Sequence, residues 1–221
     1  TGGHVNPALA IAQTIMENEP DSEIAFVGTP RGIENKLVPA KGFKLYHVDV
    51  MGLRRSLSLK NIKAAYLALT SPLKAKKIIR EFKPDIVIGT GGYVCWPALK
   101  AAADMGIPTI LHESNALPGM AVRKLQGKVD AIMTNFESTK DLLSSSANVI
   151  NVGNPLRAAC NTLTKSEARK RLGIGNDVEF VTLSFGGSLG AEKVNVAAID
   201  IMKDFVIPHG DVMHIHAGGN N

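Results

Sequence analysis

Side chains that can move a proton stand directly beside glycine-rich segments of this sequence. His4 follows Gly2 and Gly3, and Glu113 follows His112 at the end of an apolar run. An unperturbed imidazole titrates near about pH 6.5, so His4 suits a general base at neutral pH, and the carboxylate of Glu113 is the rival base. The alternatives are structural, because His4 can cap a helix or bind phosphate and Glu113 can hold the loop after its strand.

Glycine pairs occur at three points where a predicted strand passes into a helix: Gly2-Gly3, Gly91-Gly92 and Gly186-Gly187. Glycine permits a tight turn and a close approach to a ligand, and the free N–H groups at a helix N-terminus attract phosphate. One such loop is equally well explained as a tight turn, but three of them favour a phosphate-binding edge. Neither a P-loop consensus nor a complete G-x-G-x-x-G fingerprint occurs in the sequence, which argues against P-loop NTPases and standard NAD enzymes.

Short β-branched runs alternate with longer helical stretches, which predicts an α/β fold with a parallel sheet and helices on both faces. The predicted strands are 24–28, 85–89, 107–112, 129–134, 149–153, 179–185 and 212–217. The predicted helices are 7–18, 31–40, 58–82, 97–105, 165–172 and 190–205. Pro7 suits a first helical turn, whereas Pro72 is expected to kink or divide the long helix. The rhythm breaks between 154 and 177, so we place a domain boundary near Arg157.

The composition is that of a globular protein with a modest basic excess. The 221 residues are 45% hydrophobic and carry a net charge of +5, which suits phosphate ligands, nucleic acid or an anionic membrane equally well. Two cysteines indicate a reducing compartment rather than a disulfide framework. No apolar run reaches the roughly 18 residues that span a bilayer, and no signal peptide opens the sequence. Both ends look cut, so we expect a fragment of a longer protein whose role at a membrane would be peripheral.

Five segments, in order and with matching spacing, resemble one enzyme family. They are Thr1-Gly2-Gly3-His4 with Asn6-Pro7, Gly91-Gly92-Tyr93-Val94, His112-Glu113-Ser114-Asn115 with Pro118-Gly119, Val152-Gly153-Asn154-Pro155-Leu156-Arg157, and Gly186-Gly187-Ser188-Leu189-Gly190-Ala191. Together they resemble the UDP-N-acetylglucosamine–N-acetylmuramyl-(pentapeptide) pyrophosphoryl-undecaprenol N-acetylglucosaminyltransferases, the MurG family. Departures are Leu189 and Ser114, where that family commonly has Gln, and Cys95-Trp96, where small residues are common.

The resemblance implies a GT-B glycosyltransferase with two Rossmann-like domains that have parallel sheets. Residues 1–157 would form the N-terminal, acceptor- and membrane-facing domain without its first strand. Residues 158–221 would begin an incomplete C-terminal domain that binds UDP-GlcNAc. The implied reaction transfers GlcNAc from UDP-GlcNAc to the 4-hydroxyl of MurNAc-pentapeptide on undecaprenyl diphosphate, with inversion at the anomeric carbon. It converts lipid I to lipid II in peptidoglycan synthesis. The resemblance implies no cofactor and no metal.

The resemblance also assigns roles to individual positions. His4 is the candidate base and Glu113 the weaker one. The residues expected to bind UDP-GlcNAc are Thr1, Gly2, Gly3, Asn115, Arg157 and Ser188. Asn115 can donate to and accept from a sugar, and Arg157 offers a fixed cationic fork to a phosphate or the uridine end. Alternatively, Asn115 is a turn residue before Pro118-Gly119, and Arg157 forms an ion pair at the surface.

Basic residues dominate the stretch 54–83: Arg54, Arg55, Lys60, Lys63, Lys74, Lys76, Lys77, Arg80 and Lys83. A basic surface with interleaved apolar residues can bind anionic lipid headgroups, and a solvated helix face is the alternative. A lipid-linked acceptor favours the membrane, so we expect a peripheral protein at the cytoplasmic face of the bacterial cell membrane.

Three other functions remain as alternatives. The first is another GT-B transferase that uses a nucleotide sugar with a glycolipid or small-molecule acceptor. The second is a non-catalytic binder of nucleotide sugars or nucleic acid, although nucleic acid is disfavoured because no RNP-like aromatic motif accompanies the charge. The third is a metal site at His209, His214 and His216, which no neighbouring carboxylate or cysteine completes.

Overall fold

The computed structural model of the chain describes residues 2–52, 59–156, 163–187 and 190–219, without the side chains at 59–61 and 63. The chain divides into two compact units, Thr1–Ala158 and Ala159–Asn221. In the described part of both units, every pair of hydrogen-bonded strands runs parallel. The parallel α/β fold predicted from the sequence is confirmed.

The first unit alternates helices and strands along the chain. Its elements are α1 (Gly2–Asn18), β1 (Ala25–Gly28), α2 (Glu34–Leu37), β2 (Lys44–His47), α3 (Leu59–Phe82), β3 (Val87–Gly89), α4 (Cys95–Asp104), β4 (Thr109–Glu113), α5 (Met120–Leu125), β5 (Ala131–Thr134) and β6 (Val149–Asn151). Short 3₁₀ helices cover Pro39–Lys41 and Glu137–Leu142. Strands β1 and β2 pair with each other, and β3 to β6 form a four-stranded sheet in chain order.

A cluster of fully buried aliphatic side chains packs helices α4 and α5 onto the four-stranded sheet. Leu111 of β4 is central, because it lies opposite Gly89 of β3 on one side and Ile132 of β5 on the other. Leu99, Val122 and Leu125 complete the buried cluster. Burying an aliphatic side chain of this size contributes roughly 1.5–3 kcal/mol, so this cluster fixes the sheet edge at which β3 and β4 end.

Helix α3 passes through Pro72 without being divided, so of the two predicted effects of this proline, a kink or a division, the division is wrong. Proline has no N–H, which deprives the carbonyl four residues earlier, that of Ala68, of its helical partner. The indole N–H of Trp96 in α4 donates to this carbonyl at 3.4 Å. A neighbouring helix thus supplies the hydrogen bond that proline removes. Small side chains, including Ala75 of α3 and Ala101 of α4, are buried where the two helices pack.

The second unit contains α6 (Lys165–Arg171), β7 (Phe180–Phe185), α7 (Glu192–Ile201) and β8 (Val212–Ala217), with a π-helical turn at Met202–Val206. Thr164 begins α6 with a reciprocal capping box, since its hydroxyl accepts from the Glu167 N–H and the Glu167 carboxylate accepts from Thr164. Strands β7 and β8 pair in parallel, with Thr182 opposite His214 and Ser184 opposite His216. Among the described residues of both units, no helix combines the length and apolar character that crossing a bilayer requires.

Candidate functional site

The imidazole of His4 is oriented by the residue that follows strand β3. His4 Nδ1 lies 3.0 Å from the carbonyl oxygen of Thr90, and the Thr90 hydroxyl donates to the His4 carbonyl at 2.8 Å. A carbonyl can only accept, so Nδ1 must carry the proton of this bond. In the neutral ring the lone pair then belongs to Nε2, which has no hydrogen-bond partner among the described residues. Half-buried His4 therefore presents the nitrogen that a general base uses.

Glycines 91 and 92 leave room for the His4 ring. Both have positive φ angles, 89° and 73°. A Cβ at Gly91 would lie 3.1 Å from His4 Nδ1, and one at Gly92 would lie 3.0 Å from His4 Cδ2. Glycine is therefore required at these positions both by the backbone conformation and by the close approach of the imidazole.

Cys95 closes the loop that begins at Gly91. Its thiol donates to the Gly92 carbonyl at 3.0 Å. Burial raises the pKa of the Cys95 thiol to about 12, and it outweighs the backbone hydrogen bonds to the sulfur, which lower it. The side chain is therefore a neutral thiol at physiological pH, and its role in this loop is packing and a weak hydrogen bond rather than nucleophilic chemistry.

The carboxylate of Glu113, at the end of β4, is almost fully buried and holds the following loop. One oxygen accepts from the backbone N–H and the side-chain amide of Asn115, at 2.9 and 2.8 Å. The other accepts from the Gly119 N–H at 2.8 Å, just before α5. These three bonds occupy three of the roughly four lone-pair sites of the carboxylate, and the residue is only 1% exposed. The arrangement favours the loop-holding alternative for Glu113.

Asn115 is exposed on the loop that Glu113 holds. Its side-chain nitrogen is occupied by Glu113, and its backbone carbonyl accepts from the buried Thr139 hydroxyl at 3.3 Å. Its amide oxygen has no partner within the part of the chain that the structure describes. Asn115 is thus held at both ends while one acceptor remains available to a ligand hydroxyl or N–H.

A buried histidine next to Glu113 was not singled out by sequence reasoning. His112 is 0% exposed, and its Nε2 lies 3.0 Å from the carbonyl oxygen of Gly153, beyond the end of β6. Its backbone carbonyl would lie 3.6 Å from a Cβ at Gly91. His112 therefore joins the ends of three strands at one edge of the sheet. The available signal was a polar residue inside an otherwise apolar strand.

A second polar cluster lies at the carboxyl ends of β1 and β2. Glu34 accepts from the backbone N–H and the hydroxyl of Thr29 at 2.9 and 2.8 Å. Burial raises the pKa of Glu34, but the hydrogen bonds from Thr29 and from its own N–H outweigh it, so the net pKa lies below its ordinary value. The side-chain nitrogen of Asn35 donates to the Thr29 carbonyl at 2.8 Å, and its amide oxygen accepts from His47 Nε2 at 2.7 Å. This network, which was not predictable from the sequence pattern, closes the loop between β1 and α2.

An apolar stripe runs along the exposed side of α3. It consists of Ile62, Tyr66, Leu69 and Leu73, each between 65% and 80% exposed. Their spacing of four, three and four residues places them on one helical face. Exposed apolar side chains that are contiguous along a helix mark an interaction surface more often than scattered ones do.

The lysines beside this α3 stripe differ in their surroundings. Lys74 pairs with Asp49 at 3.0 Å and Lys76 with Asp104 at 3.5 Å. Lys77 is exposed and makes no ion pair with another described residue. Part of the basic charge counted in the sequence is therefore compensated within the fold.

Several predicted positions lie outside the described residues. They are Thr1, Arg157 and Ser188 among the donor-binding residues, and Arg54 and Arg55 of the basic stretch, while Lys60 and Lys63 have undescribed side chains. Gly2 and Gly3 form the first turn of α1. The structure brings His4, Glu113 and Asn115 to the carboxyl edge of one sheet, together with Thr90 and His112, which the sequence analysis did not name as site residues.

Residues 1–134 match the glycosyltransferase family 28 N-terminal domain. The chain belongs to glycosyltransferase family 28. A UDP-N-acetylglucosamine–N-acetylmuramyl-(pentapeptide) pyrophosphoryl-undecaprenol N-acetylglucosamine transferase from Thermoanaerobacter sp. (strain X514) is 45% identical over 203 residues, which are 92% of this chain and 56% of that protein. The corresponding protein of Caldanaerobacter subterraneus is 44% identical over the same share of both chains. The family 28 chain thus spans little more than half the length of these relatives.

Solved structures agree with this family assignment. The crystal structure of Acinetobacter baumannii MurG matches the whole chain with a TM-score of 0.68 and 28% identity, and the match covers 57% of that protein. A UDP-GlcNAc 2-epimerase from Neisseria meningitidis bound to UDP-GlcNAc matches 96% of the chain and 63% of its own, with a TM-score of 0.58 and 16% identity, which shows a shared fold alone. The MurG resemblance and the GT-B fold class predicted from the five motifs are confirmed.

Proposed function

We propose that the protein containing this chain transfers GlcNAc from UDP-GlcNAc to the 4-hydroxyl of a MurNAc-pentapeptide on undecaprenyl diphosphate. The names of the relatives support this substrate pair. The single observation that carries the chemistry is the tautomer of His4, whose Nδ1 donates to Thr90 and whose Nε2 keeps its lone pair. In the transfer, the acceptor oxygen attacks the anomeric carbon, its proton passes to His4 Nε2, and UDP leaves with the electron pair of the broken bond.

We infer that His4, rather than Glu113, is the base. The Thr90 carbonyl orients the His4 ring and would stabilise the imidazolium that forms, as a carbonyl or carboxylate does for other catalytic histidines. Glu113 instead fixes the loop that presents Asn115 to the substrate. Glu113 would therefore act on the reaction indirectly, by fixing the position of that loop and of the first turn of α5.

Donor binding is proposed for the glycine turns and for polar residues beside them. Gly2 and Gly3 occupy the first turn of α1, where N–H groups lack helical partners and the helix dipole favours an anion. Thr1, Arg157 and Ser188 complete the proposed set on the basis of the motifs. In this proposal residues 1–157 face the acceptor and the membrane, and residues 158–221 begin the donor-binding domain.

Membrane attachment is proposed for α3, at the cytoplasmic face of the bacterial cell membrane. The apolar stripe of Ile62, Tyr66, Leu69 and Leu73 would enter the headgroup region, and nearby cations such as Lys77 would meet anionic lipid. Because Lys74 and Lys76 already pair with aspartates, the stripe is the better target for a test than charge reversal. Leu69→Gln with Leu73→Gln should reduce co-sedimentation with anionic vesicles, and Leu172→Gln, at a leucine about as exposed as Leu73, is the control. Unchanged vesicle binding of the double variant would contradict the proposal.

The reaction is tested by UDP release from UDP-GlcNAc, with and without a short-chain lipid I analogue, in the complete natural reading frame that contains this chain. Release that requires the acceptor, and that falls about 10²–10⁴-fold in His4→Ala, is the expected result. A folded protein that binds UDP-GlcNAc and releases no UDP with this acceptor would instead support a GT-B transferase with a different acceptor. Full activity of His4→Ala would assign the base elsewhere.

A further inference from the structure

A continuous row of polar side chains connects the two strands of the second unit to helix α7. The Thr182 hydroxyl lies 2.7 Å from His214 Nδ1, and the Ser184 hydroxyl lies 2.8 Å from His214 Nε2 and 2.7 Å from His216 Nδ1. His216 Nε2 lies 3.0 Å from the amide oxygen of Asn195 in α7. All four ring nitrogens therefore have a side-chain partner, and the two rings lie nearly parallel, 19° apart.

The end of the row at Gly218 determines the direction of the bonds that lead to it. The Gly218 carbonyl can only accept, so Asn195 donates to it through Nδ2, at 3.0 Å, and turns its oxygen to His216. His216 Nε2 must then carry a proton, and His216 Nδ1 accepts the proton of the Ser184 hydroxyl. With that proton used, His214 Nε2 must donate to Ser184. In the neutral ring His214 Nδ1 then accepts from the Thr182 hydroxyl at 2.7 Å, which is closer than the competing Met213 carbonyl at 3.4 Å. Both histidines are thus fixed as the Nε2–H tautomer when neutral.

The carbonyl at which the row ends touches the glycine loop that precedes α7, defined here by Gly186, Gly187 and Gly190. A Cβ at Gly190 would lie 2.1 Å from the Gly218 oxygen, so the two backbones approach as closely as glycine allows. The Gly190 N–H also bonds to the Gly187 carbonyl at 3.1 Å, and both glycines have positive φ. A displacement of Gly218 toward the loop must therefore displace Gly190, and with it the bond from Gly190 to Gly187, because no side chain stands between Gly218 and Gly190 to absorb the movement.

We propose that His216 is a positioning residue for the donor diphosphate. It holds Asn195 in the orientation that fixes the Gly218 carbonyl, and that carbonyl supports the glycine loop at the start of α7. This inference rests on the proposed function, in which the glycine turns bind UDP-GlcNAc; the turn before α7 would hold its diphosphate, since the N–H groups at a helix N-terminus attract phosphate. Ser184 and His214 act one and two bonds further away, since each sets the hydrogen-bond direction of the next member.

The test measures the Kd of UDP by calorimetry, in the complete natural reading frame, for a series of variants along the row. His216→Phe should raise the Kd about 10-fold or more and Ser184→Ala about 3-fold to 10-fold, since each removes bonds that order the loop. His216→Gln keeps an N–H at the position that faces Asn195 and should restore most of the affinity. Thr182→Val, at the far end of the row, should change the Kd less than about 2-fold. The KM for UDP-GlcNAc should follow the Kd while kcat changes little.

Several outcomes would overturn the inference. Folded Ser184→Ala and His216→Phe proteins with the native Kd would show that the row does not position the loop. An equal loss in Thr182→Val would show that affinity does not follow proximity to Gly218. If His216→Phe does not fold, Ser184→Ala, which only removes a hydroxyl, decides the question. A native protein that binds no UDP would instead overturn the proposed function, and this inference with it.

Discussion

His4 and Thr90 are joined by two hydrogen bonds that run in opposite directions. The imidazole Nδ1–H donates to the Thr90 carbonyl at 3.0 Å, and the Thr90 hydroxyl donates to the His4 carbonyl at 2.8 Å. The start of α1 and the end of β3, 86 residues apart in the chain, are thereby locked together at the proposed catalytic group. Thr90 thus determines both the tautomer of the His4 ring and the position of the His4 backbone.

The first prediction concerns the hydroxyl of Thr90. Thr90→Val keeps the shape and the carbonyl but removes the bond to the His4 backbone, so the imidazole should be held less firmly. We expect kcat to fall about 10-fold, with little change in the KM of either substrate. Thr90→Ser retains the hydroxyl and should keep most of the native kcat. Equal activity of Thr90→Val and Thr90→Ser would show that this bond does not contribute to the reaction.

The second prediction separates backbone strain from contact with the catalytic ring. Gly92→Ala requires a positive φ and places a methyl group 3.0 Å from the His4 ring. Gly106→Ala requires a similar φ, 71°, but meets no atom within 4 Å. Both should lower the free energy of unfolding by about 1 kcal/mol, and Gly92→Ala should also reduce kcat at least about 10-fold. Thermal unfolding and steady-state kinetics measure the two effects, and a native kcat in Gly92→Ala would refute the assigned role of the glycine.

The third prediction concerns Glu113. Glu113→Gln leaves only one acceptor oxygen for donors from Asn115 and Gly119, and it turns an NH₂ group toward an N–H. We expect the free energy of unfolding to fall by about 1–3 kcal/mol. Amide hydrogen exchange at Gly119 should also accelerate, which can be followed by mass spectrometry or NMR.

Exposed Glu137→Gln is the control for Glu113→Gln, because it makes the same chemical change without buried partners. If Glu113→Gln keeps native stability and native exchange at Gly119 while losing activity, Glu113 acts in the chemistry and not through the loop. That pattern would also remove His4 from its position as the favoured base.

The fourth prediction concerns the reactivity of Cys95. Since its pKa is raised to about 12, few of these thiols are ionised at pH 8, and alkylation by iodoacetamide should be roughly 10³-fold slower than in the unfolded chain. The rate should rise with pH through the alkaline range, because the reactive thiolate forms only as the pH approaches the raised pKa. Peptide-resolved mass spectrometry measures the rate at Cys95 with and without urea. A rate near that of the unfolded chain at pH 8 would contradict the raised pKa of the thiol.

The strands of the sheet interior were predictable because their apolar residues are contiguous and β-branched. Strand β2, Lys44–His47, was not predicted, because polar residues at both of its ends remain exposed and only Leu45 and Tyr46 give an apolar signal. Helix α5 was not predicted, because it is short and directly follows Pro118-Gly119, a pair typical of turns. Helix α1 begins at Gly2, five residues before the predicted start at Pro7, because a proline tolerated within a helix gives the same signal as one that begins it.

The candidate site was predictable in part, and the reason is local. Motifs containing His4, Glu113 and Asn115 carry their own glycines and lie at strand ends, so their types and neighbours indicate the edge of the sheet. The partners that decide their roles are distant in sequence, as Thr90 is for His4. Long-range pairs of this kind follow from sheet order and register, which a single sequence does not specify.

Helix α3 depends at its centre on a hydrogen bond from Trp96 to Ala68, and this is the only tryptophan among the 221 residues. The fluorescence of the protein at wavelengths beyond the tyrosine emission band therefore comes from one indole. This indole contacts the proposed membrane-binding helix four residues before its proline. The wavelength of indole fluorescence depends on the polarity around the ring, so any tilt of α3 that opens this contact should shift the emission maximum. The fold thus provides an intrinsic optical probe, which reports the seating of α3 on a lipid surface without an attached dye.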